Sequence, residues 1–215
     1  VRGMSATRVA RDSHWRRSTP TVAWVLLRSV IVGDGEIRLR PVVEDDLAMF
    51  RRFLIEPGLI GLDWAGYRDA QEPARRFATD GYLGTDDGRL IVEVDDDQVA
   101  GLVSYRAGSF DGRTRYWEIG IALLPEWREQ GIGWRAQAML SEYLFEHTPV
   151  QRIQAATHPE NLAEQKSLEK AGFAFEGVVR ACEFRAGQWR DGYLYSRLRN
   201  DAPPSANRPA HHTDT

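Results

Sequence analysis

The chain has 215 residues, of which 42% are hydrophobic, and a formal net charge of -3. This length accommodates one domain with a substantial core plus tails. The small net charge indicates neither a nucleic-acid-binding surface nor a polybasic membrane-binding patch, so we expect no nucleic-acid partner and no membrane partner. The single cysteine, Cys182, cannot form an internal disulfide, which is typical of a protein in the reducing cytoplasm.

Both ends of the chain are predicted to lie outside the folded domain, which we place at residues 34–200. Arginines precede an apolar run over 22–32, which loosely imitates a signal sequence. The run is too short to span a bilayer, contains Arg28 and precedes no small-residue cleavage site, so we expect 1–33 to be a flexible extension or an added strand. The proline-rich, polar stretch 201–215 is predicted to be disordered.

The sequence between these tails predicts one α/β domain. Apolar and polar residues alternate over 36–42, whereas Leu47, Phe50 and Leu54 recur at helical spacing. In chain order, the first predicted elements are a strand over 36–42, helices over 44–54 and 70–79, and strands over 90–94, 99–105 and 117–124. The aspartates at 95–97 predict the solvated turn of a hairpin, and we expect no metal site.

Residues 125–136 are the most informative segment, because they place a glycine-containing turn between a strand and an amphipathic helix. The helix is indicated by the spacing of Ile132 and Ala136 with later apolar residues. The first N–H groups of a helix are unpaired, and its dipole adds positive charge, so an anion is favoured there. Gly131 and Gly133 would let that anion approach the backbone closely.

Three kinds of phosphate-binding loop compete for this turn. A nucleoside-triphosphate loop requires Gly-Lys-Ser/Thr, which does not follow. Gly131, Gly133 and Ala136 satisfy the Rossmann spacing, but too few strand–helix units follow to build a doubly wound sheet. Taken together, 118–133 resembles the coenzyme A pyrophosphate loop of the GNAT acyltransferases, particularly the RimJ/RimL-like branch, since Arg128 and the two glycines fit Arg/Gln-x-x-Gly-x-Gly/Ala.

A second segment carries the same resemblance. Residues 161–173, followed by Gly177, are similar to the Asn-x-x-Ser-x-x-x-Leu-Glu-Lys-x-Gly-Phe signature of that branch. The matching residues are Asn161, Leu168, Glu169, Lys170, Gly172 and Phe173. The resemblance extends over roughly 35–199 and implies a single GNAT-type domain with a mixed, mostly antiparallel sheet flanked by helices.

The second segment also departs from the family pattern at two positions. Glu164 stands where a serine or alanine is usual. Leu168 stands where many members have a tyrosine that protonates the leaving thiolate. The resemblance therefore assigns no general acid to this chain.

The resemblance implies acetyl-CoA as cosubstrate and a set of residues that bind it. These residues are Leu123, Leu124, Arg128, Gln130, Gly131, Ile132, Gly133, Trp134 and Asn161. The N–H groups of Leu123 and Leu124 are expected to stabilise the oxyanion. Two assignments have structural alternatives, because Asn161 can cap a helix in a capping box with Glu164, and Trp134 can anchor the loop to the core. Trp64 and Tyr67 are expected to form a wall for the acceptor substrate.

Glu118 is the predicted general base. Strand alternation places it on one face with Gly120 and Ala122, whose small side chains leave space for a substrate. The alternative is a glutamate that faces solvent or pairs with Arg115. The expected function is transfer of an acetyl group from acetyl-CoA to a primary amine of a protein N-terminus or a small molecule, with a homodimer as a further expectation. The alternatives are a catalytically silent acyl-CoA-binding module and an enzyme that uses a different acyl donor.

Overall fold

The structure is a computed structural model that describes residues 32–33, 36–64, 66–95, 97–202 and 204. The strands are β1 (Val32–Gly33), β2 (Ile37–Pro41), β3 (Asp87–Val94), β4 (Gln98–Ser109), β5 (Arg115–Leu123), β6 (Arg152–Thr157), β7 (Ala174–Arg185) and β8 (Gln188–Leu198). The helices are α1 (Leu47–Ile55), α2 (Glu72–Asp80), α3 (Ile132–His147) and α4 (Leu162–Lys170), with 3₁₀ turns at Glu44–Asp46, Gly61–Asp63 and Pro125–Trp127. No helix in the described part of the chain is both long and apolar enough to cross a bilayer.

The predicted elements between residues 36 and 124 are all present, close to their predicted bounds. Val32 and Gly33 of the predicted N-terminal extension form β1, which pairs with β2. The rest of 1–33 lies outside the described residues, as does the predicted C-terminal tail apart from residues 201, 202 and 204.

The eight strands form one sheet in the order β1-β2-β3-β4-β5-β6-β8-β7. Neighbouring strands are antiparallel except β5 and β6, which are parallel. This architecture confirms the predicted mixed, mostly antiparallel sheet flanked by helices. The register of β5 and β6 joins Trp117 to Ile153 and Glu118 to Gln154, so the two strands diverge beyond Glu118 and a gap opens between them.

The two faces of the sheet pack against different helices. On one face, α3 contributes apolar side chains at helical spacing, namely Ile132, Ala136, Leu140 and Leu144. On the other face, α1 packs through Phe50 and its apolar neighbours. Along β5 the side chains alternate, since Trp117 and Ile119 join the α3 core whereas Ala122 packs against the α1 core. Glu118 therefore faces the α1 side.

A bulge in β4 holds the end of β5 in place. The register between β3 and β4 shifts at Ala100, which is the extra residue of the bulge. A Cβ at Gly101 would lie 2.1 Å from the carbonyl oxygen of Ala122, so the backbones of β4 and β5 approach more closely than a larger residue allows. The N–H of Leu124 donates to the carbonyl of Ala100 at 2.9 Å. The chain therefore enters the glycine turn from a fixed position.

Candidate functional site

A cleft of about 530 Å³ is formed by the end of β5, the start of α3, the helix α4 and the segment 60–63. This volume is in the range of small-molecule and cofactor sites. Its charged lining residues have both signs, namely Arg128, Lys166, Lys170, Asp63, Glu129 and Glu164. Because the cleft is not uniformly positive, an anion bound there depends on backbone groups as well as on side chains.

The glycine turn that was predicted to bind an anion forms one wall of the cleft. Gly131 is the N-cap residue of α3, has a left-handed φ of +78° and supplies no capping side chain. The N–H groups at the start of this 16-residue helix therefore receive no acceptor from their N-cap, and the helix dipole adds positive charge at the same point. A Cβ at Gly133 would lie 3.1 Å from Ser167 Oγ, so a larger residue would crowd the contact between α3 and α4. This geometry favours a phosphate group.

Most residues that were predicted to contact the coenzyme lie at the cleft. Those that line it are Leu123, Arg128, Gly131, Gly133, Trp134 and Asn161. Ile132 is buried in the core, so its backbone N–H is the group that it can offer a ligand. Gln130 is exposed, and its side-chain amide donates to the carbonyl of Glu126 at 2.7 Å. This hydrogen bond stabilises the turn, and it directs the amide to the backbone and not into the cleft.

The two leucines at the end of β5 direct their N–H groups to opposite sides. The N–H of Leu124 is engaged by Ala100 in β4, and its side chain is buried in the core. The N–H of Leu124 is therefore not available to a ligand. Successive N–H groups alternate in direction along an antiparallel ladder, so Leu123 directs its N–H away from β4 and toward the gap before β6.

Arg128 uses its guanidinium to join two walls of the cleft. Its Nε and Nη2 donate to the carbonyl of Leu123 at 3.0 and 2.9 Å, and Nη2 also donates to the carbonyl of Leu59. These bonds connect the end of β5 to the chain that leads into the 61–63 turn. The structure therefore gives Arg128 a positioning role in addition to its charge.

Asn161 caps α4, because its Oδ1 accepts from the N–H of Glu164 at 3.2 Å. The predicted capping box is wrong in its second half. The N–H of Asn161 donates to the carbonyl of His158 at 2.9 Å, and the Glu164 carboxyl accepts from the side-chain amide of Gln137. Gln137 is fully buried and accepts from Ser167 Oγ at 2.8 Å. One glutamine of α3 therefore fixes two polar side chains of α4 at the cleft.

The Glu164 carboxyl is the titrating group of this network. Burial raises its pKa to about 7 and the nearby charge of Asp63 adds to the increase, whereas the hydrogen bond from Gln137 lowers it. Near neutral pH the carboxyl is therefore divided between its neutral and charged forms. Only the charged form would repel a phosphate in the cleft.

Glu118 is oriented by two donors on the α1 side of β5. Its carboxylate accepts from the guanidinium of Arg106, which lies opposite on β4, and from Gln154 Nε2 at 3.1 Å. The alternative pairing with Arg115 is wrong, because Arg115 pairs with Asp86 at 2.7 Å. The Glu118 side chain remains 23% exposed, so a substrate or a water molecule can still reach it.

A second cavity of about 160 Å³, which we call the small cavity, lies on the α1 side of the sheet. It shares Ile60 and Ala122 with the cleft, so the two spaces meet at β5. Trp64 forms part of the wall of the small cavity. Tyr67 is 77% exposed and packs edge-on against Trp64, with ring centroids 5.3 Å apart, so it supports that wall from outside.

Sequence reasoning assigned no role to His158, which follows β6 and is buried. Its Nε2 lies 3.1 Å from Asp63 Oδ1, and its Nδ1 lies 3.0 Å from Glu183 Oε2. The ring therefore connects the 61–63 turn to β7. A lone histidine after a strand gave no signal for this contact. Within the described residues, no group of three or more His, Cys, Asp or Glu side chains is arranged to hold a metal ion.

Comparison with known proteins gives a consistent result. Residues 36–174 match the sequence model of a family described as acetyltransferase (GNAT) domain. The chain is 28% identical over 112 residues to YnaD, an uncharacterized N-acetyltransferase of Bacillus subtilis, and the match covers 52% of this chain and 64% of that protein. The chain therefore spans less than two thirds of this relative's length.

Two solved structures share the fold. A spermidine N-acetyltransferase from Vibrio cholerae, in complex with CoA and spermine, superposes with a TM-score of 0.69 at 19% identity, covering 78% of this chain and 98% of that one. RimL, a ribosomal L7/L12 α-N-protein acetyltransferase in complex with CoA, superposes with a TM-score of 0.66 at 18% identity, covering 79% and 98%. At these identities the likeness establishes the fold.

Proposed function

We propose that this chain, which belongs to the GNAT acetyltransferase family, transfers an acetyl group from acetyl-CoA to a primary amine. The observation that carries the proposal is the start of α3, which has no capping side chain at Gly131 and opens into a cleft large enough for a coenzyme. The spermidine N-acetyltransferase and RimL structures described above were both solved with CoA.

The coenzyme pyrophosphate is proposed to bind at Gly131, Ile132 and Gly133 through the N–H groups at the start of α3. Lys166 and Lys170 on α4 add positive charge to the opposite wall. The remaining contacts are proposed for Arg128, Gln130, Trp134 and Asn161. Among these, Gln130 supports the shape of the turn, since its side chain bonds the backbone.

In the proposed reaction a neutral amine attacks the thioester carbonyl of acetyl-CoA. A nitrogen–carbon bond forms, the carbon–sulfur bond breaks and CoA leaves as its thiolate, while the amine loses a proton to a base. The N–H of Leu123, which is directed toward the gap between β5 and β6, is proposed to donate to the oxyanion. The direction of the Leu123 N–H is the reason for assigning this role to Leu123 and not to Leu124.

Glu118 is proposed as the base, acting directly or through one water molecule. Its carboxylate lies on the α1 face of β5, the face that also carries Gly120 and Ala122, and Ala122 lines the small cavity. The demand on the base depends on the amine, because deprotonation at pH 7 costs about 4.6 kcal/mol for a lysine but only about 1 kcal/mol for an α-amine. A carboxylate that is already ion-paired suits the α-amine better.

We also propose that the protein acts in the cytoplasm and forms a homodimer through β7 and β8. Cys182 is an exposed free thiol, which a reducing compartment preserves. The hairpin of β7 and β8 exposes large apolar side chains, namely Phe175, Val178, Val179, Phe184 and Trp189. Such a surface is typical of an interaction site. Light scattering that shows a monomer at all concentrations would contradict the dimer.

Thiol release tests the proposed activity. The protein is incubated with acetyl-CoA and a panel of α-amino acids, N-terminal peptides, polyamines and amine-containing antibiotics, and free CoA is measured. The prediction is amine-dependent release for at least one class. A parallel series with longer acyl-CoA donors determines whether acetyl is the transferred group.

A catalytically silent acyl-CoA-binding module is the second candidate. It is favoured by Leu168, which is fully buried in the core at the position where many family members have a tyrosine proton donor. Binding of acetyl-CoA without thiol release for any amine or acyl donor would select this candidate. Amine-dependent release would eliminate it.

A further inference from the structure

The small cavity has a positively charged lining, although the coenzyme cleft beside it has charges of both signs. Its charged lining residues are Arg68 and Arg89, and Ser104 adds a hydroxyl. None of the described residues that line it is acidic. A cation that lines a cavity without a counter-charge favours an anionic ligand.

Arg89 is the fixed charge of this cavity. Its guanidinium lies over the rings of Phe50 and Tyr82, 5.6 and 5.2 Å from their centroids. Among the nearby carboxylates, Asp80 and Asp87 both pair with Arg76. Of the carboxylates that the structure describes, none forms an ion pair with Arg89. Its hydrogen-bond donors are therefore held in place by the rings and remain available to a ligand.

The sheet register connects this charge to the proposed reaction centre. Arg89, Ser104 and Gly120 are direct partners across β3, β4 and β5, so they lie in one row on the α1 face. At strand spacings of about 4.8 Å, the backbones of Arg89 and Gly120 are roughly 10 Å apart. Glu118 lies two residues before Gly120 on the same face of β5, so its backbone is roughly 12 Å from that of Arg89. An anionic group at Arg89 and an amine near Glu118 can therefore belong to one short molecule.

We infer that the acceptor carries a carboxylate close to its primary amine and that Arg89, aided by Ser104 and Arg68, binds this carboxylate in the small cavity. The inference rests on the proposed function, because it names the class of acceptor for the same site. The cavity of 160 Å³ has room for the equivalent of about five water molecules at ~30 Å³ each, which is the size of an amino acid or one acidic residue.

A polyamine fits this cavity less well. Its second ammonium group would lie beside Arg89 with no carboxylate in the lining to balance it. The acidic groups that the structure places at the cleft, such as Asp63, are on the coenzyme side. The fold shared with a spermidine acetyltransferase is therefore compatible with a different acceptor class in this chain.

Binding of a matched ligand pair tests the inference without turnover. N-acetyl-L-alanine and N-acetyl-L-alaninamide have nearly the same shape, but only the first has a carboxylate. Calorimetric titration of each, with and without CoA, is expected to show at least about tenfold tighter binding of the carboxylate to the wild type. Equal affinity for the two ligands would overturn the inference, whether or not any variant folds.

Variants then locate the selective group. R89Q is expected to abolish the preference for the carboxylate, and R89K to keep part of it. R52Q is the matched control, because Arg52 is exposed on α1 and pairs with Glu56. The R52Q variant should show the same preference for the carboxylate ligand as the wild type. An R89Q variant that keeps the full preference would contradict the assignment of Arg89.

Thiol release separates this inference from the proposed function. Peptides that begin with aspartate or asparagine, and free alanine, distinguish a side-chain carboxylate from the α-carboxylate of an amino acid as the recognised group. Selective turnover of either carboxylate-containing amine supports the inference. Selective binding without turnover of any amine would support the cavity assignment and overturn acetyl transfer.

Discussion

The cleft and the small cavity meet at Ile60 and Ala122, yet the chain builds them in different ways. The cleft is formed largely by two continuous segments, 125–136 and 161–170, and offers a phosphate the backbone N–H groups of a helix start. The small cavity collects side chains from α1, the 60–68 segment, β3, β4 and β5. The first space therefore depends on backbone geometry, whereas the second depends on individual side-chain charges.

This difference predicts that the two sites fail separately. A change in the glycine turn should remove coenzyme binding, whereas a change at Arg89 should alter only the choice of acceptor. Glu118 lies on the same face of β5 as Ala122, where the two spaces meet, and a change at Glu118 should affect the rate with both ligands bound. A variant in either site that weakens CoA binding and acceptor binding equally would contradict this separation of the two sites.

The largest expected effect is at Glu118. E118Q keeps the size of the side chain but removes the proposed base, so kcat should fall by about 100-fold while the affinity for CoA stays unchanged. R106Q is the control, because it removes the ion pair with Glu118 and leaves the carboxylate in place. Steady-state thiol release measures both variants. Undiminished turnover in E118Q would remove Glu118 from the base role.

A smaller effect is expected at the glycine turn. G131V should lower the affinity for CoA by at least about tenfold, because a branched residue at φ +78° is strained by about 1–2 kcal/mol and covers the helix start. G112V is the control, since Gly112 has a similar φ of +73° and a Cβ added there would meet no atom within 4 Å. Calorimetric titration with CoA should show normal binding to G112V. Normal binding to G131V would refute the anion site.

The contacts of His158, which connect the 61–63 turn to β7, are expected to contribute roughly 1 kcal/mol to stability. H158A leaves Asp63 and Glu183 without the ring that lies between them, so the free energy of unfolding should decrease. H147A is the control, because His147 is exposed at the end of α3. Urea unfolding of both variants measures the difference. Equal stability of H158A and the wild type would show that the bridge contributes nothing.

The last expected effect is the pH dependence of stability that arises from Glu164. Burial raises the pKa of its carboxyl from 4.5 to about 7, so the folded protein binds this proton more tightly than the unfolded chain. This contribution to stability is fully present below about pH 4.5 and is lost as the pH rises through about 7. E164Q should remove this pH-dependent loss of stability. The free energy of unfolding of E164Q minus that of the wild type should therefore increase from about pH 5 to about pH 8.

Coenzyme binding gives a second measure of the same group. At about pH 8, E164Q should bind CoA a few-fold more tightly than the wild type, because a charged carboxylate no longer faces the phosphates. E169Q is the control, since Glu169 is exposed on the same helix. If the stability and the CoA affinity of E164Q changed with pH in the same way as those of the wild type, Glu164 would not be the group that causes the pH dependence.

The same contrast explains what the sequence could reveal. The glycine turn and the Asn161 cap are local features, since each depends on residues a few positions apart, and the structure places both at the cleft. The alternation of β5 also placed Glu118 on the same face as Gly120 and Ala122, as the register shows. Local patterns therefore predicted the helix start and the helix cap that lie at the cleft, whereas the fold was predicted from the family resemblance.

The remaining features depend on which segments meet in three dimensions. The engagement of the Leu124 N–H follows from the β4 bulge, and the partner of Glu118 follows from the strand register. The position of Arg89 beside Phe50 brings together residues far apart in the chain. A buried Gln137 on the apolar side of α3 was a visible signal for a polar network, but its partners on α4 required the structure.

Thermal stability with acetyl-CoA, CoA and NAD in parallel tests the central claim most directly. A specific ligand at 100 times its dissociation constant adds about 2.7 kcal/mol to stability, which corresponds to a shift of about 5–10 °C for a domain of this size. Stabilisation by acetyl-CoA and CoA, but not by NAD, is the result that we predict. No shift with the CoA species, or a shift with NAD alone, would contradict a coenzyme A site at the start of α3.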